Sequence, residues 1–278
     1  MPKYYSRIAK IFDNNDFVGS PATLQDCKWL EQEGRDVACR QRRTMEDGPA
    51  ECATFTVVGT VAHRDFHMAA HGDWTPLIGP PMHNHYGSFE LISSTSALIT
   101  LSWPTVVANL HALEKDSARG HEVGTSIVRE GGLSFRHRLY KRITRRSTMA
   151  ITDALRDPFS LEKWPLETEE QEKARRRMLN SMKWTPRPLP AYTMVGDPML
   201  PALYDILLPG SMVSVSFIIV REFHHERPYY NFFAEVDQIH ILRTSLVINA
   251  TPAENNFDKA IQKWREEKKA SRKSESGR

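Results

Sequence analysis

The stretch from Met212 to Leu242 constrains the fold more than any other part of the chain. Between Met212 and Val220 the apolar residues Val213, Val215, Phe217 and Ile219 alternate with Ser214 and Ser216. Period-two alternation rich in β-branched residues is the pattern of a half-buried strand. Between Phe232 and Leu242, Phe232, Ala234 and Val236 share a face opposite Glu235 and Asp237, and the apolar phase then moves to Ile239 and Ile241. A phase shift of one residue inside a strand predicts a β-bulge near Asp237 or Gln238. The residues between the two runs, His224, His225, Glu226, Arg227 and Pro228, are polar and suit a hairpin tip.

Upstream, Cys52 to His63 reads as a further strand, with Phe55, Val57, Gly59 and Val61 on one face. A glycine in mid-strand predicts a bulge, a bend or a close backbone approach. Ser88 to Ile92 and Ala97 to Trp103 read as two more strands. Pro104 then suits the first turn of a helix running to about Ala118, with Val106, Val107, Leu110 and Leu113 at helical spacing. A second helix is expected from Leu166 to about Lys183, acidic at its start and basic at its end as the helix dipole favours. Pro186, Pro188, Pro190, Pro198 and Pro201 then predict a long connecting loop. Near the start, Leu24 to Glu33 reads as a helix and Arg35 to Asp47 as a linker or exposed loop. At the other end, Thr251, Pro252 and Glu254 form a capping box for a helix bearing Phe257, Ile261 and Trp264. The tail beyond Lys268 is too polar to pack and is expected to be disordered.

The expected order is three strands, a helix, a long insert and two strands. It predicts an α+β fold built on a small, mostly antiparallel β-barrel or curved sheet, OB-like in strand order, with a helical insertion and a C-terminal helix. The expected division is an N-terminal extension over 1–50, an α+β domain over 51–250 with a basic, helical insertion at about 120–205, and a terminal helix and tail over 251–278. With 278 residues and 40% hydrophobic composition the chain can bury a sizeable core. Its longest apolar run, Phe217 to Val220, is far short of the roughly 20 residues that a membrane helix needs. Three cysteines, Cys27, Cys39 and Cys52, without CxxC spacing fit free thiols in a reducing compartment. The N-terminal residues show no signal-peptide pattern, so a nuclear or cytoplasmic location is expected.

Four blocks carry a resemblance: ALITLSWPTVVANLHALEKDSARG from Ala97 to Gly120, GGLSFRHRLYKRI from Gly131 to Ile143, DPFSLEKWPLE from Asp157 to Glu167, and GSMVSVSF from Gly210 to Phe217. Together they resemble a group of uncharacterised proteins common in mushroom-forming fungi. The resemblance spans about residues 50 to 245 and implies a fungal, intracellular origin. It implies no activity, cofactor or site residue.

Function must therefore be read from the residues themselves. The stretch from Arg129 to Arg146 holds Arg136, Arg138, Lys141, Arg142, Arg145 and Arg146, with Phe135 and Tyr140 interleaved. Cations neutralise phosphates and aromatic rings stack on unpaired bases, so the pattern points to single-stranded DNA or RNA. In this reading the six cations contact phosphates, and Phe135 and Tyr140 are the stacking groups. Two more basic stretches, Arg175 to Arg187 around Trp184 and Lys263 to Arg278, extend it if they share a face. The bland alternative is a solvated surface, since basic runs are common and the net charge is only +3.

A rival reading takes His83, His85 and Glu90 as the shell of a divalent transition metal in a cupin-like enzyme. The glycine pattern around them is incomplete, and His63, His67 and His71 fall in what reads largely as loop. A third reading is a protein-interaction scaffold. Nucleophile elbows, phosphate-binding loops, dinucleotide fingerprints and zincin motifs are absent. That favours a binding module over an enzyme, with no cofactor in the leading reading.

Overall fold

The structure is a computed structural model, and it describes residues 3–20, 23, 27–32, 34–40, 51–69, 72, 74, 81–142, 166, 168–181 and 183–245. The expected C-terminal helix, the basic tail, His71, Arg145 and Arg146 lie outside the described residues.

After helix α1 (Lys3–Phe12) come strands β1 (Cys27–Gln32), β2 (Arg35–Arg40), β3 (Glu51–Cys52), β4 (Phe55–Val61) and β5 (Tyr86–Ile92). Helix α2 (Ala97–Ser117) precedes β6 (Glu122–Thr125), β7 (Val128–Arg129), β8 (Gly132–Arg138) and β9 (Tyr140–Arg142). Helix α3 (Glu169–Ser181), β10 (Trp184–Pro186), β11 (Ala191–Tyr192), β12 (Met212–His224) and β13 (Tyr229–Arg243) follow. This is a mixed α+β fold dominated by strands.

The β12–β13 hairpin is where the sequence pattern places it, and its bulge is there too. Ser216 pairs with Gln238 and Phe217 with Val236, leaving Asp237 as the extra residue. Five strands then pair in a ring: β12 with β4, β4 with β5, β5 with β8, β8 with β13, and β13 with β12. All these pairings are antiparallel except β8 with β13. Two seams are short, Thr60–Val61 against Leu91–Ile92 and Ala234–Glu235 against Phe135–Arg136. The result is a partly open five-stranded barrel of OB-like strand order.

Its interior is filled by the alternate residues of each strand. Phe55, Val57, Phe89, Leu91, Leu133, Phe135, Val215, Phe217, Ile219, Phe232 and Ala234 are all buried. Phe135 stacks on Phe89 at 5.3 Å and meets Phe217 edge-on at 5.2 Å, favourable geometries for aromatic pairs. Gly59 sits at the tight crossing of β4 over β5. A Cβ there would lie 2.7 Å from Leu91 Cγ and 2.8 Å from the Ile92 carbonyl oxygen, so it is a close approach that requires glycine.

Several expectations are corrected. Ala97 to Trp103 is the first half of α2 and not a strand, because Ile99, Trp103, Val106, Leu110 and Leu113 continue one buried helical stripe while Leu98 and Leu101 face water. Pro104 lies inside that helix on its exposed face, where the missing backbone donor costs least. The third barrel strand is β8, which was read as part of a basic insertion, so α2 falls before it and the long insert after it. Cys27–Gln32 is a strand where a helix was expected, and Arg35–Arg40 a strand where a linker was expected. Together they extend the sheet beyond β12. The three cysteines are free thiols.

Two buried polar groups anchor the surroundings of the barrel. The Glu114 carboxylate accepts from the Ile127 N–H and the Ser126 hydroxyl, both at 2.6 Å, tying α2 to the link between β6 and β7. Arg221, 6% exposed, donates to Asp36 and to the Ser117 carbonyl, each at 2.9 Å, and joins β12 to β2 and the end of α2.

Two measurements test this fold. Gly59→Val forces a side chain into the β4–β5 crossing, and the expected loss is about 1–3 kcal/mol, read as a lower denaturant midpoint at unchanged slope. His137, inside the barrel, bonds through Nε2 to the Arg187 carbonyl at 2.8 Å, and burial holds its pKa at about 4 against an ordinary 6.5. Between those values the unfolded chain holds a proton that the folded chain lacks, so stability falls as pH drops through that window. His137→Gln, which keeps a donor without titrating, is expected to flatten this fall in melting temperature.

Candidate nucleic-acid interface

The register of β5 on β8 decides which of the candidate residues reach the surface. Phe89 faces Phe135, Ser88 faces Arg136 and Tyr86 faces Arg138. Phe135 and His137 therefore point inward with Phe89, while Arg136, Arg138 and Tyr86 point outward. Phe135 is 1% exposed and Tyr140 0%, so neither is a surface stacking group, contrary to the sequence reading. Alternation alone pairs Phe135 with the core, and Arg136 and Arg138 on the outer face mask the strand.

Arg136 is also corrected, because its charge is already used. Its guanidinium donates to Glu235 at 2.8 and 3.1 Å and to Glu222 at 2.9 Å, and lies 3.5 Å over the Phe233 ring and 4.5 Å over Tyr86. Arg35 bonds the same Glu235 oxygen. Burial pushes the Glu235 carboxyl up, but the charges and hydrogen bonds of Arg136 and Arg35 outweigh it and hold its pKa below the ordinary range. This is a structural clamp across β8, β13 and β2. Arg138 is on the same face and donates to the Tyr86 hydroxyl at 3.1 Å.

A different group of cations is gathered where the chain leaves β8. There β9 pairs with β10, setting Lys141 against Thr185 and Arg142 against Trp184. Beneath them Met82, Leu139, Tyr140 and Met178 form a small buried cluster, with Trp74, Leu166, Ala174, Leu179 and Trp184 packed at its edge. Trp184 stacks on His83 with centroids 4.1 Å apart and planes at 25°. Burial lowers the His83 pKa, favouring the uncharged ring. A cavity of about 290 Å³ opens between Trp74, Met82, His83, Met178 and Trp184, with Arg177 and Lys183 at its rim.

The charges at this site differ from those of the clamp. Lys141, Arg142, Arg177 and Lys183 are exposed, and among the described residues none of the four side chains has an ion-pair or hydrogen-bond partner. Their neighbours on α3 are consumed locally: Lys173 pairs with Glu169, and Arg175 and Arg176 pair with Glu172. Two of the three basic stretches thus meet at one place through the β9–β10 pairing. Trp184, singled out within its stretch, and His83, read as a metal ligand, are the aromatic members that sequence reasoning left unconnected.

The expected metal shell is not assembled. Both Glu90 oxygens accept from Arg64, at 2.9 and 3.2 Å, His83 is stacked on Trp184, and His85 leads into β5. Among the described residues no group of three or more His, Cys, Asp or Glu is placed to hold a metal ion. His63 and His67 are exposed, and His224 stacks on Tyr229 at the β12–β13 tip. No helix among the described residues is long and apolar enough to cross a membrane.

No protein-family model and no curated protein matches the chain. Among solved structures, the chain is similar to that of gp2.5, a single-stranded DNA binding protein encoded by bacteriophage T7, at 10% identity and a TM-score of 0.38. The match covers 71% of this chain and 95% of that one. That score is too low to carry an argument, and the fold assignment rests on the strand pairings alone.

Arg136→Leu removes the main partner of a buried carboxylate, and the expected cost is about 2 kcal/mol in denaturant unfolding. Because the folded-state pKa of Glu235 is depressed, its contribution is present above the ordinary carboxylate range and is lost as pH falls through the folded value. Glu235→Gln is expected to be less stable at neutral pH and to lose less stability on acidification than the parent.

Proposed function

We propose that the protein binds single-stranded nucleic acid at the β9–β10 ribbon and the adjoining outer face of β5 and β8. The observation that carries this reading is the β9–β10 ribbon itself, which bears Lys141 and Arg142 and leads from Lys183. Arg177 and Lys183 stand beside the cavity lined by Trp74, His83 and Trp184, and the side chains of all four cations are unpaired among the described residues. Free cations neutralise backbone phosphates, and half-buried aromatic rings beside them offer a stacking surface to an unpaired base. Barrels of OB type bind oligonucleotides on the face of their second and third strands and the neighbouring loops. Here those strands are β5 and β8, and His83 and Trp74 come from the loop between β4 and β5. Arg138 extends the path along the face, while Arg136 holds the scaffold. A nuclear or cytoplasmic location accords with this role, and the reading needs no cofactor and no catalysis.

Anisotropy measurements with labelled single-stranded and duplex DNA and RNA at several salt concentrations test it. Binding is expected to favour single strands and to weaken with salt. Replacing both Lys141 and Arg142 by alanine is expected to reduce the salt slope by about 1.4, two cations at about 0.7 each for single strands. Trp184→Ala is expected to cost about 1–3 kcal/mol of affinity if one base stacks there. An unchanged slope in the double variant would remove this site from the binding surface.

A further inference from the structure

A second cleft lies on a different flank of the barrel, over the outer faces of β4, β12 and β13. Its floor is set by the bulge at Asp237. Before the bulge Phe232, Ala234 and Val236 point inward; after it Ile239 and Ile241 do, which turns Gln238 and His240 out. The register then builds two polar rows, Thr56–Ser216–Gln238 and Ser214–His240. One wall is α1 with the residues after it, contributing Arg7, Lys10 and Asn14, held down where the Val18 N–H donates to Thr56 O and the Thr56 N–H to Asp16 O. The other wall is the turn Thr193 to Gly196, which exposes Met194 and Val195. Arg7 Nη1 donates to the Met194 carbonyl at 2.8 Å and ties the two walls together.

The cleft has a volume of about 430 Å³, and no carboxylate lines it. That lies within the roughly 300–1,000 Å³ typical of small-molecule sites. The side chains of Lys10, Ser214 and Gln238 make no hydrogen bond among the described residues, and the His240 ring makes none while stacking on Tyr192 at 4.7 Å. Two cations one helical turn apart, an uncommitted hydroxyl and amide, and an apolar margin from Ile11, Met194 and Val195 thus converge on one space. Such a lining matches an anion carried on a polar body. A phosphate monoester, with close to two negative charges at neutral pH and three acceptor oxygens, suits a pair of cations better than a single carboxylate does. The bond between the walls favours a monomer-sized ligand over a continuous strand.

We propose that this cleft binds a small phosphorylated molecule, its phosphate held by Arg7 and Lys10 and its polar body by Ser214, Ser216 and Gln238. The site is independent of the β9–β10 ribbon. Calorimetric titration of the full chain with ribose 5-phosphate, and with ribose as the uncharged control, tests it. Ribose 5-phosphate is expected to bind and ribose not to. Lys10→Glu, at an exposed helical position, is expected to weaken binding by about tenfold or more. Gln238→Ala is expected to weaken it less, and the Lys141→Ala/Arg142→Ala variant not at all. No binding of ribose 5-phosphate, or unchanged affinity in both Lys10→Glu and Gln238→Ala, overturns the proposal. So does loss of oligonucleotide binding in Lys10→Glu, which would make the cleft part of a strand path.

Discussion

The β12–β13 hairpin is the constraint on which the rest of the structure depends. A buried strand must pair its backbone donors and acceptors on both sides. Beyond the pairing with each other, β12 takes β4 and β13 takes β8, while β5 bridges β4 and β8. The ring closes only because both hairpin strands are long enough to offer a second edge. Both also reach past the barrel, β12 to pair with β2, and β13 with β6 and β11. The single extra residue at Asp237 belongs to the same device. It lets a strand that packs Val236 inward also pack Ile239 inward, and it turns Gln238 and His240 outward to make the floor of the α1 cleft.

The charges are sorted by where their partners lie. Carboxylates of the sheet, Glu90, Glu222 and Glu235, are matched by Arg64, Arg136 and Arg35. Those on α3 are matched within one turn by that helix's own cations. Lys141, Arg142, Arg177 and Lys183 near β9–β10 have no ion-pair partner among the described residues, and neither do Lys115, Arg119, Arg227 and Arg243 elsewhere on the surface. A net charge of +3 therefore does not distinguish the cations already committed to carboxylates from those that are not. The same sorting separates residues that hold the scaffold, such as Arg136, from those such as Lys141 and Arg142 that meet solvent.

Legibility in the sequence followed the length of each pattern. The hairpin, its bulge and β4 were readable because several alternating residues agreed, and α3 because its charges run from acidic to basic as the helix dipole favours. Ala97 to Trp103 failed because seven apolar-rich residues satisfy a strand and a helix alike, and only the packing of Ile99 and Trp103 with the later stripe of α2 decides between them. Strand β8 failed for the opposite reason: Arg136 and Arg138 look like a basic patch until Phe89 and Leu91 are set across from Phe135 and Leu133. In the same way His83, Asn84 and His85 resembled a metal motif, but spacing does not reveal that Trp184, a hundred residues on, stacks on His83.

By itself the sequence determined the alternating strands that must share a core, the position of the bulge, the glycine at the β4–β5 crossing and the supply of basic residues. These are local properties, set by side-chain period and by backbone sterics. Only the tertiary structure decided which strand was third in the barrel, which arginines were spent on carboxylates, and which cations stood free beside the tryptophans. Those outcomes depend on pairings between residues far apart in the chain, such as Arg136 with Glu235 and Arg142 with Trp184. No local period records them, because a charge becomes a clamp or a ligand contact according to what the folded chain places across from it.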